Sequence, residues 1–269
     1  MLKLRDIDES EAPLLDHLIE LQGRLLRCVI ALGIAFVVCL NFADDIFGFL
    51  VRPLTAAFPQ GEGRLIYTKL YEAFFVELKV ALFAAFFVSF PIIANQLWAF
   101  VAPGLYAREK RAFLPFLIAT PVLFISGAAL AYYIVMPTAF RFFLTFEGNK
   151  GGLQMEALPG TGDYLDLVMQ FILAFGISFL LPVLLLLLNR AGIVTRAQLV
   201  TARRYVIVAI FAVAAVATPP DVVSQLMLAI PLLVLFEGSL VVMRLTERSD
   251  ARRAAAEAAE AKSIQSSGG

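Results

Sequence analysis

The chain has 269 residues, of which 60% are hydrophobic and only 16% are charged, and 24 of them are phenylalanine. This composition is too apolar for a soluble domain of this length, so it predicts an integral membrane protein. The formal net charge is zero and the charges lie between apolar runs or in the tails, which argues against a nucleic-acid partner. The lone histidine, His17, lies outside the apolar runs and no zinc spacing occurs, so we predict no metal or cofactor.

The chain opens with an amphipathic segment, residues 11–30, that reads "EAPLLDHLIELQGRLLRCVI". At helical spacing one face carries leucines, at positions 14, 18, 21 and 25. The opposite face carries Asp16, Glu20, Arg24 and Arg27. We therefore expect a helix whose charged face, including Glu20, points to water or to a partner.

Six apolar runs are candidates for membrane-spanning helices. Five are long enough to cross about 30 Å of hydrocarbon. These five lie near residues 26–45, 74–100, 112–136, 164–189 and 222–243. The remaining run, 205–217, would give only about 20 Å of helix, between Arg203-Arg204 and the turn "TPPD". We predict that it is a short fifth span, which forms a short hairpin with the sixth.

Six spans would place both termini on one side of the membrane. Sixteen of the 22 lysines and arginines lie in the tails and in the second and fourth loops. The positive-inside rule therefore puts both termini in the cytoplasm. We expect one six-span membrane domain over residues 1–245, which opens with the short amphipathic helix, and a largely disordered cytoplasmic tail over 246–269.

An intramembrane protease is one alternative, because "GTGD" at Gly160–Asp163 matches the GxGD motif of presenilin-type aspartyl proteases. That chemistry needs two carboxylates that share a proton. The other candidates are Asp166, on the same helix, and Asp221, in a turn. Asp163 can instead cap a helix that begins at Tyr164. Because the chain also lacks a phosphate-binding loop and a histidine within a span, the sequence favours a binding protein over an enzyme.

Two acidic residues on the predicted cytoplasmic side are candidate binding groups: Glu20, and Glu109 in "APGLYAREKRAF". Each has a simpler interpretation as half of a surface ion pair. Glu20 can pair with Arg24 one turn away, and Glu109 with its basic neighbours, each pair contributing about 0.5 kcal/mol or less. Spacing alone favours the simpler interpretation.

Six stretches form an ordered series of motifs along the chain: "HLIEL" at 17–21, "RPL" at 52–54, "PIIANQLWAFVAPGLYAREKR" at 91–111, "AYYIVMP" at 131–137, "FGISFLLPV" at 175–183 and "TPPDVVSQLMLAIPLLVLFE" at 218–237. Through this series the chain resembles one family over about residues 13–245, TatC of the twin-arginine protein translocase. The resemblance implies an all-α protein of the bacterial cytoplasmic (inner) membrane, with six helices in a cupped arrangement and cytoplasmic termini. It also implies a receptor for paired-arginine signal peptides of folded precursors, in a translocase driven by the proton gradient.

The resemblance assigns the arginine pair of the signal peptide to Glu20 and Glu109. A guanidinium can bind a carboxylate through two parallel hydrogen bonds, which a lysine ammonium cannot reproduce. Leu21, Phe100 and Pro103 would form an apolar floor beside them, although ordinary helix packing explains these three equally well. The implied partners are TatA- and TatB-type single-span proteins and further copies of the chain, all within the lipid bilayer.

Six further positions match motif positions that the family uses for architecture or partner contact: Pro53, Phe74, Tyr132, Leu180, Asp221 and Glu237. Asp221 is more simply the N-cap of the sixth helix, and Glu237 needs a partner if it lies in lipid. Gln22 stands where the family often has a basic residue, and Leu180 where it commonly has Glu or Gln. The main alternative function, a solute or ion carrier, would need a polar midplane pocket, for which the spans carry few ionisable residues.

Overall fold

The computed structural model describes residues 8–58, 64–105 and 114–267, and this part of the chain is almost entirely helical. The helices are α1 (Asp8–Leu40), α2 (Ala43–Thr55), α3 (Glu72–Leu105), α4 (Leu114–Leu130), α5 (Met136–Leu144), α6 (Thr161–Ser178), α7 (Leu181–Arg190), α8 (Arg196–Thr201), α9 (Arg203–Ala217) and α10 (Val222–Ser267). A short antiparallel hairpin, β1 (Gly148–Lys150) and β2 (Leu153–Met155), adds to the predicted all-α fold.

The chain divides into two compact units, residues 1–176 and 177–269. Unit 1 contains α1 to α5, the hairpin and α6 as far as Gly176. Unit 2 contains the remaining helices, in which α10 packs against α7, α8 and α9. The expectation of one membrane domain over 1–245 stays a prediction.

Five helical stretches are long and apolar enough to cross a membrane: Leu18–Leu40, Glu72–Phe100, Phe116–Leu144, Thr161–Arg190 and Val222–Ser249. Each overlaps one of the five long predicted runs. The first ends at Leu40 instead of 45, because residues 41–42 form a turn before α2. The predicted short span lies in α9, whose 15 residues give about 22 Å of helix. That helix is shorter than a bilayer core, so five stretches of the described residues are candidate spans and the short fifth span stays a prediction.

Two of these spans contain a local departure from the α-helix that the sequence analysis did not predict. A π-helical segment, Ala131–Val135, joins α4 to α5. The fourth span is interrupted at residues 179–180, between α6 and α7. In each case a proline follows, Pro137 or Pro182, and a proline has no N–H to continue the helical hydrogen-bond ladder.

The tail beyond residue 245 is helical as far as the structure describes it. α10 continues without a break from Val222 to Ser267, over 46 residues. Residues 251–262, "ARRAAAEAAEAK", consist only of alanine, arginine, glutamate and lysine, which are the strongest helix formers. This intrinsic propensity accounts for the helix, and the expectation of a largely disordered tail over 246–269 stays a prediction.

The two long loops of unit 1 are bonded to each other. The Ile66 amide donates to the Pro159 carbonyl at 3.2 Å, and the Thr161 amide donates to the Ile66 carbonyl at 2.8 Å. α6 begins at Thr161, so Asp163 lies within its first turn and is not the predicted N-cap. The hairpin turns through Gly151 and Gly152, whose φ angles of +62° and +86° are strained for other residues.

Candidate functional site

Glu20 lies on the face of α1 that turns toward the interior of unit 1. Its side chain and that of Arg24 are partly buried, and further along the same face Ala35 and Cys39 are fully buried. On the opposite face Leu18, Leu21 and Leu25 are exposed, and Leu25 is 60% exposed. The Glu20 side chain itself is 39% exposed, so the expectation that it points to water or to a partner stays a prediction. In a membrane the apolar face can meet lipid, while ionisable side chains turn to the protein interior.

α1 packs along α3 through small side chains. Ala35 and Cys39 form a buried cluster with Ala81 and Ala85 of α3, and such residues let two helix backbones approach closely. The helices run antiparallel, because Arg27, nearer the start of α1, borders the same groove as Ile92, further along α3. At about 1.5 Å per residue, this register puts Glu20 at about the level of residue 100 of α3.

Glu20 and Arg24 form an ion pair one helical turn apart. The Arg24 guanidinium donates to a single oxygen of Glu20, Oε1, from Nε at 3.0 Å and from Nη2 at 2.5 Å. The Glu20 side chain remains 39% exposed, and Oε2 accepts no hydrogen bond from the described residues. The carboxylate thus already holds a guanidinium and still presents one open oxygen.

Of the other residues predicted for this site, the structure describes the side chains of Leu21 and Phe100 but not those of Pro103 and Glu109. Leu21 is 41% exposed beside Glu20, and Phe100 is partly buried near the end of α3. Pro103 lies in the last turn of α3, but its side chain is outside the described part. Glu109 lies outside the described residues altogether. The predicted proximity of Glu20 and Glu109 therefore stays a prediction.

A tryptophan near this site was not assigned a role by the sequence analysis. Trp98 Nε1 donates to Thr120 Oγ1 at 2.7 Å, and that hydroxyl donates to the Phe116 carbonyl at 2.8 Å. The bond joins α3 to α4 close to the two ends of the connection that contains Glu109. The sequence could have indicated this hydrogen bond, because the chain's single tryptophan lies in an apolar span, where its N–H needs an acceptor.

Tyr132 supplies a hydrogen bond that Pro53 removes from α2. Pro53 is buried inside that helix and has no N–H, so the Phe49 carbonyl loses its ordinary helical donor. The Tyr132 hydroxyl donates to this carbonyl at 2.7 Å, and the Tyr164 hydroxyl donates to the next one, Leu50, at 2.8 Å. Tyr132 also stacks on the Phe49 ring, with centroids 4.3 Å apart. These contacts give both predicted residues an architectural explanation.

Glu72, at the start of α3, organises the loop end of unit 1 and was missed by the sequence analysis. Its Oε2 accepts from the Thr68 amide and hydroxyl, both at 2.8 Å, and its Oε1 accepts from the Gly162 amide at 2.8 Å. One carboxylate therefore holds the loop before α3 and the first turn of α6. Phe74, two residues later, is 61% exposed and remains a candidate for contact with a partner.

Unit 1 also contains an ion pair between two spans. Lys79 Nζ on α3 lies 2.9 Å from each carboxylate oxygen of Asp166 on α6. Both side chains are about half exposed, at 51% and 54%. Asp166, which was considered as a second protease carboxylate, is thus engaged by a lysine. This pairing weakens the protease alternative further.

In unit 2, Asp221 adopts the predicted N-cap geometry. It directly precedes α10, and its Oδ1 accepts from the Ser224 amide at 2.7 Å. Its other oxygen, Oδ2, is buried without a donor among the described residues. Leu180 lies at the break in the fourth span, directly before α7, where its hydrocarbon side chain makes no capping bond.

Glu237 has a charged partner within the chain. Its Oε2 accepts from Arg203 Nη2 at 2.8 Å, which links α10 to the start of α9. Both side chains are about half exposed. A carboxylate paired in this way does not require an external partner to be tolerated near lipid, which was the problem that the sequence posed.

The apolar spans and the ion-paired charges within them define a multi-pass helical membrane protein. Comparison with known proteins identifies the family. The family model "Sec-independent protein translocase protein (TatC)" matches residues 16–231. The chain belongs to the TatC family, so it is a multi-pass protein of the bacterial inner membrane and a protein-translocase component.

Individual relatives agree with this assignment. The TatC protein of Magnetococcus marinus is 49% identical over 94% of this chain and 91% of its own length. That of Haemophilus influenzae is 42% identical over 92% of this chain and 94% of its own length. A crystal structure of the twin-arginine translocase receptor TatC in DDM superposes with a TM-score of 0.73, at 38% identity, and covers 84% of this chain and 98% of that one. These relatives are named as translocase components and not as enzymes.

Proposed function

We propose that this protein is the receptor that binds paired-arginine signal peptides at the cytoplasmic end of α1 and α3. Glu20 and Glu109 would hold the two guanidinium groups, and Leu21, Phe100 and Pro103 would contact the apolar part of the peptide. The proposal includes six spans, with α9 as the short fifth, and both termini in the cytoplasm. In this role the protein has no catalytic activity of its own.

The ion pair between Glu20 and Arg24 is the observation that carries this proposal. Two N–H groups of the Arg24 guanidinium converge on Oε1, which supports a carboxylate that can accept this planar cation. The second oxygen is open to a further donor, and 39% of the side chain is exposed. A signal-peptide arginine could therefore bind Oε2 or displace Arg24 from Oε1.

The apolar lining of the spans in unit 1 supports a receptor over a solute carrier. A groove of about 330 Å³ lies among α2, α3, α4 and α6. Aliphatic and phenylalanine side chains form most of its wall, and Tyr132 and Tyr133 supply the only polar atoms of its side chains. A carrier for polar solutes needs several convergent polar groups near the midplane.

The proposed receptor works in an assembly. TatA- and TatB-type single-span proteins and further copies of the chain would complete a translocase that uses the proton gradient to export folded precursors. Phe74 is an exposed candidate for these contacts, while Leu180 removes the polar group that relatives commonly have in the fourth span. We therefore expect signal-peptide binding to be retained even if assembly with partners differs from that of relatives.

Binding of a fluorescent twin-arginine signal peptide to the purified full chain tests the proposal. We expect Glu20→Gln and Glu109→Gln each to weaken binding at least about ten-fold, because each removes a charge-assisted hydrogen bond. Glu247→Gln is the matched control, since Glu247 also accepts from an arginine, Arg196 Nε at 3.2 Å, but belongs to unit 2. Equal affinity in all four proteins would refute the proposed site.

A further inference from the structure

A pocket in unit 2 lies where α8 meets α9 and has no role in the proposed receptor function. It has a volume of about 400 Å³ and is lined by Gln198, Thr201, Ala202, Arg204 and Tyr205, with Ala197 beside them. Its walls therefore combine a cation, an amide, an aromatic ring and a hydroxyl. We call it the α8–α9 pocket.

Arg204 supplies a positive charge that is not neutralised within the described part of the chain. The two arginines that precede it in α8 and α9 are each paired with a carboxylate: Arg196 with Glu247, and Arg203 with Glu237 at 2.8 Å. The Arg204 guanidinium instead lies 4.8 Å from the centre of the Tyr205 ring. Its Nη2 donates to the Tyr205 hydroxyl at 3.1 Å. This contact fixes the guanidinium at the pocket while leaving its charge uncompensated.

Neutral hydrogen-bonding groups complete the pocket. Gln198 Oε1 accepts from the Thr195 amide at 2.8 Å, as part of the capping box of α8. The Gln198 amide nitrogen makes no hydrogen bond to the described residues, so its two N–H groups are available to a ligand. The Thr201 hydroxyl donates to the Ala197 carbonyl at 3.0 Å. The available donors are thus a guanidinium and an amide, a set that suits an anionic oxygen ligand.

The pocket lies at the boundary of an apolar helix. α9 is apolar from Tyr205 to Ala217, with outward side chains such as Val208, which is 68% exposed. Tyrosine is enriched at the level of lipid headgroups, where its ring meets hydrocarbon and its hydroxyl meets water. Tyr205 is 64% exposed at this boundary. A ligand in the pocket would therefore have its anionic group at headgroup level and hydrocarbon directly below it.

We propose that the α8–α9 pocket binds the phosphodiester headgroup of an anionic membrane phospholipid. The Arg204 guanidinium binds the phosphate oxygens, the Gln198 amide donates to the headgroup, and the acyl chains lie along the exposed apolar face of α9. The shortness of α9 would draw such a headgroup toward the protein.

Native mass spectrometry of the purified full chain tests this proposal by counting bound lipids during titration with phosphatidylglycerol or with zwitterionic phosphatidylcholine. We expect one phosphatidylglycerol to bind more tightly than phosphatidylcholine. Arg204→Gln should weaken that site about ten-fold, because it removes a charge-assisted hydrogen bond to phosphate. Arg204→Lys should recover part of the affinity, since the ammonium keeps the charge and loses the paired donors.

Arg248→Gln is the matched control, because it removes the same charge from an arginine that does not line the pocket. We expect its phosphatidylglycerol affinity to stay within about two-fold of that of the unaltered protein. An equal loss in Arg248→Gln, or no loss in Arg204→Gln, would overturn the proposal. Complete displacement of the lipid by millimolar inorganic phosphate would also overturn it, since the site would then be a phosphate site and not a lipid site. Retained signal-peptide binding by Arg204→Gln verifies its fold.

Discussion

The Tyr132 hydroxyl lies 2.7 Å from the Phe49 carbonyl oxygen, the acceptor that Pro53 leaves without a helical donor. A side chain of the π-helical segment after α4 thus replaces a backbone hydrogen bond in α2. This replacement allows a proline inside α2 without leaving a partly buried carbonyl unpaired. α2 is thus bonded to two other elements: to the π-helical segment through Tyr132, and to α6 through Tyr164, which donates to the adjacent Leu50 carbonyl.

Tyr132→Phe should lower the free energy of unfolding by about 1 kcal/mol, because the partly buried Phe49 carbonyl loses its hydrogen-bond donor. The variant Pro53→Ala restores a backbone N–H, so the cost of Tyr132→Phe should shrink in that background. Unfolding in mixed detergent micelles measures both values. Tyr133→Phe is the control, since Tyr133 is 68% exposed. Equal costs in both backgrounds would mean that the tyrosine does not substitute for the missing donor.

Glu72→Gln should loosen the loop end of unit 1. An amide has one acceptor oxygen, so it cannot serve Thr68, Lys69 and Gly162 together as the carboxylate does. We expect faster amide hydrogen exchange in residues 64–71 and in the first turn of α6. Glu77→Gln on the same helix provides the control, because Glu77 is exposed and bonds to no described residue. Unchanged exchange in Glu72→Gln would contradict the role assigned to this carboxylate.

Gly176→Ala should destabilise unit 1 by about 1 to 3 kcal/mol through overpacking. A Cβ at this position would lie 2.7 Å from Phe124 Cε2, and the Phe124 ring is itself stacked on Phe90 at 3.8 Å. Adding Phe124→Leu to Gly176→Ala should recover part of the lost stability, because the smaller side chain leaves room for the new Cβ. Gly33→Ala is the matched control, since nothing lies within 4 Å of its added Cβ. Loss of stability in both glycine variants alike would indicate a general backbone effect.

Hydropathy was sufficient to predict the membrane class and the five long spans, because the cost of exposing backbone and charge to lipid constrains composition strongly. It could not predict the interruption at residues 179–180 or the π-helical segment, which depend on where a single proline disturbs the hydrogen-bond ladder. The face by which α1 packs against α3 was not predictable for a different reason. A helix in lipid can expose its leucines, so amphipathicity does not reveal which face packs against protein.

The candidate site was predictable only in part. The pairing of Glu20 with Arg24 followed from their spacing of four residues, as did the N-cap role of Asp221 from its place before α10. Contacts between distant positions did not follow: Glu72 meets Gly162 across 90 residues, and Glu237 meets Arg203 across 34. Such pairs depend on helix register, which composition and local periodicity do not specify.

Arg24→Gln should tighten binding of a twin-arginine peptide by about two-fold. Arg24 occupies Oε1 of Glu20, and an incoming arginine no longer has to compete with an ion pair that contributes about 0.5 kcal/mol. Fluorescence anisotropy with the purified chain measures the effect, and Arg27→Gln controls for the loss of one positive charge. Weaker binding in Arg24→Gln would mean that Arg24 instead holds Glu20 in its binding orientation.

The most direct measurement is the ratio of affinities for a signal peptide with Arg-Arg and for its Lys-Lys counterpart, in the unaltered protein and in Glu20→Ala and Glu109→Ala. We predict a clear preference for Arg-Arg that both substitutions abolish, because only a guanidinium offers two parallel donors to a carboxylate. Equal affinity for the two peptides, insensitive to both substitutions, would contradict the account and leave Glu20 as half of a surface ion pair.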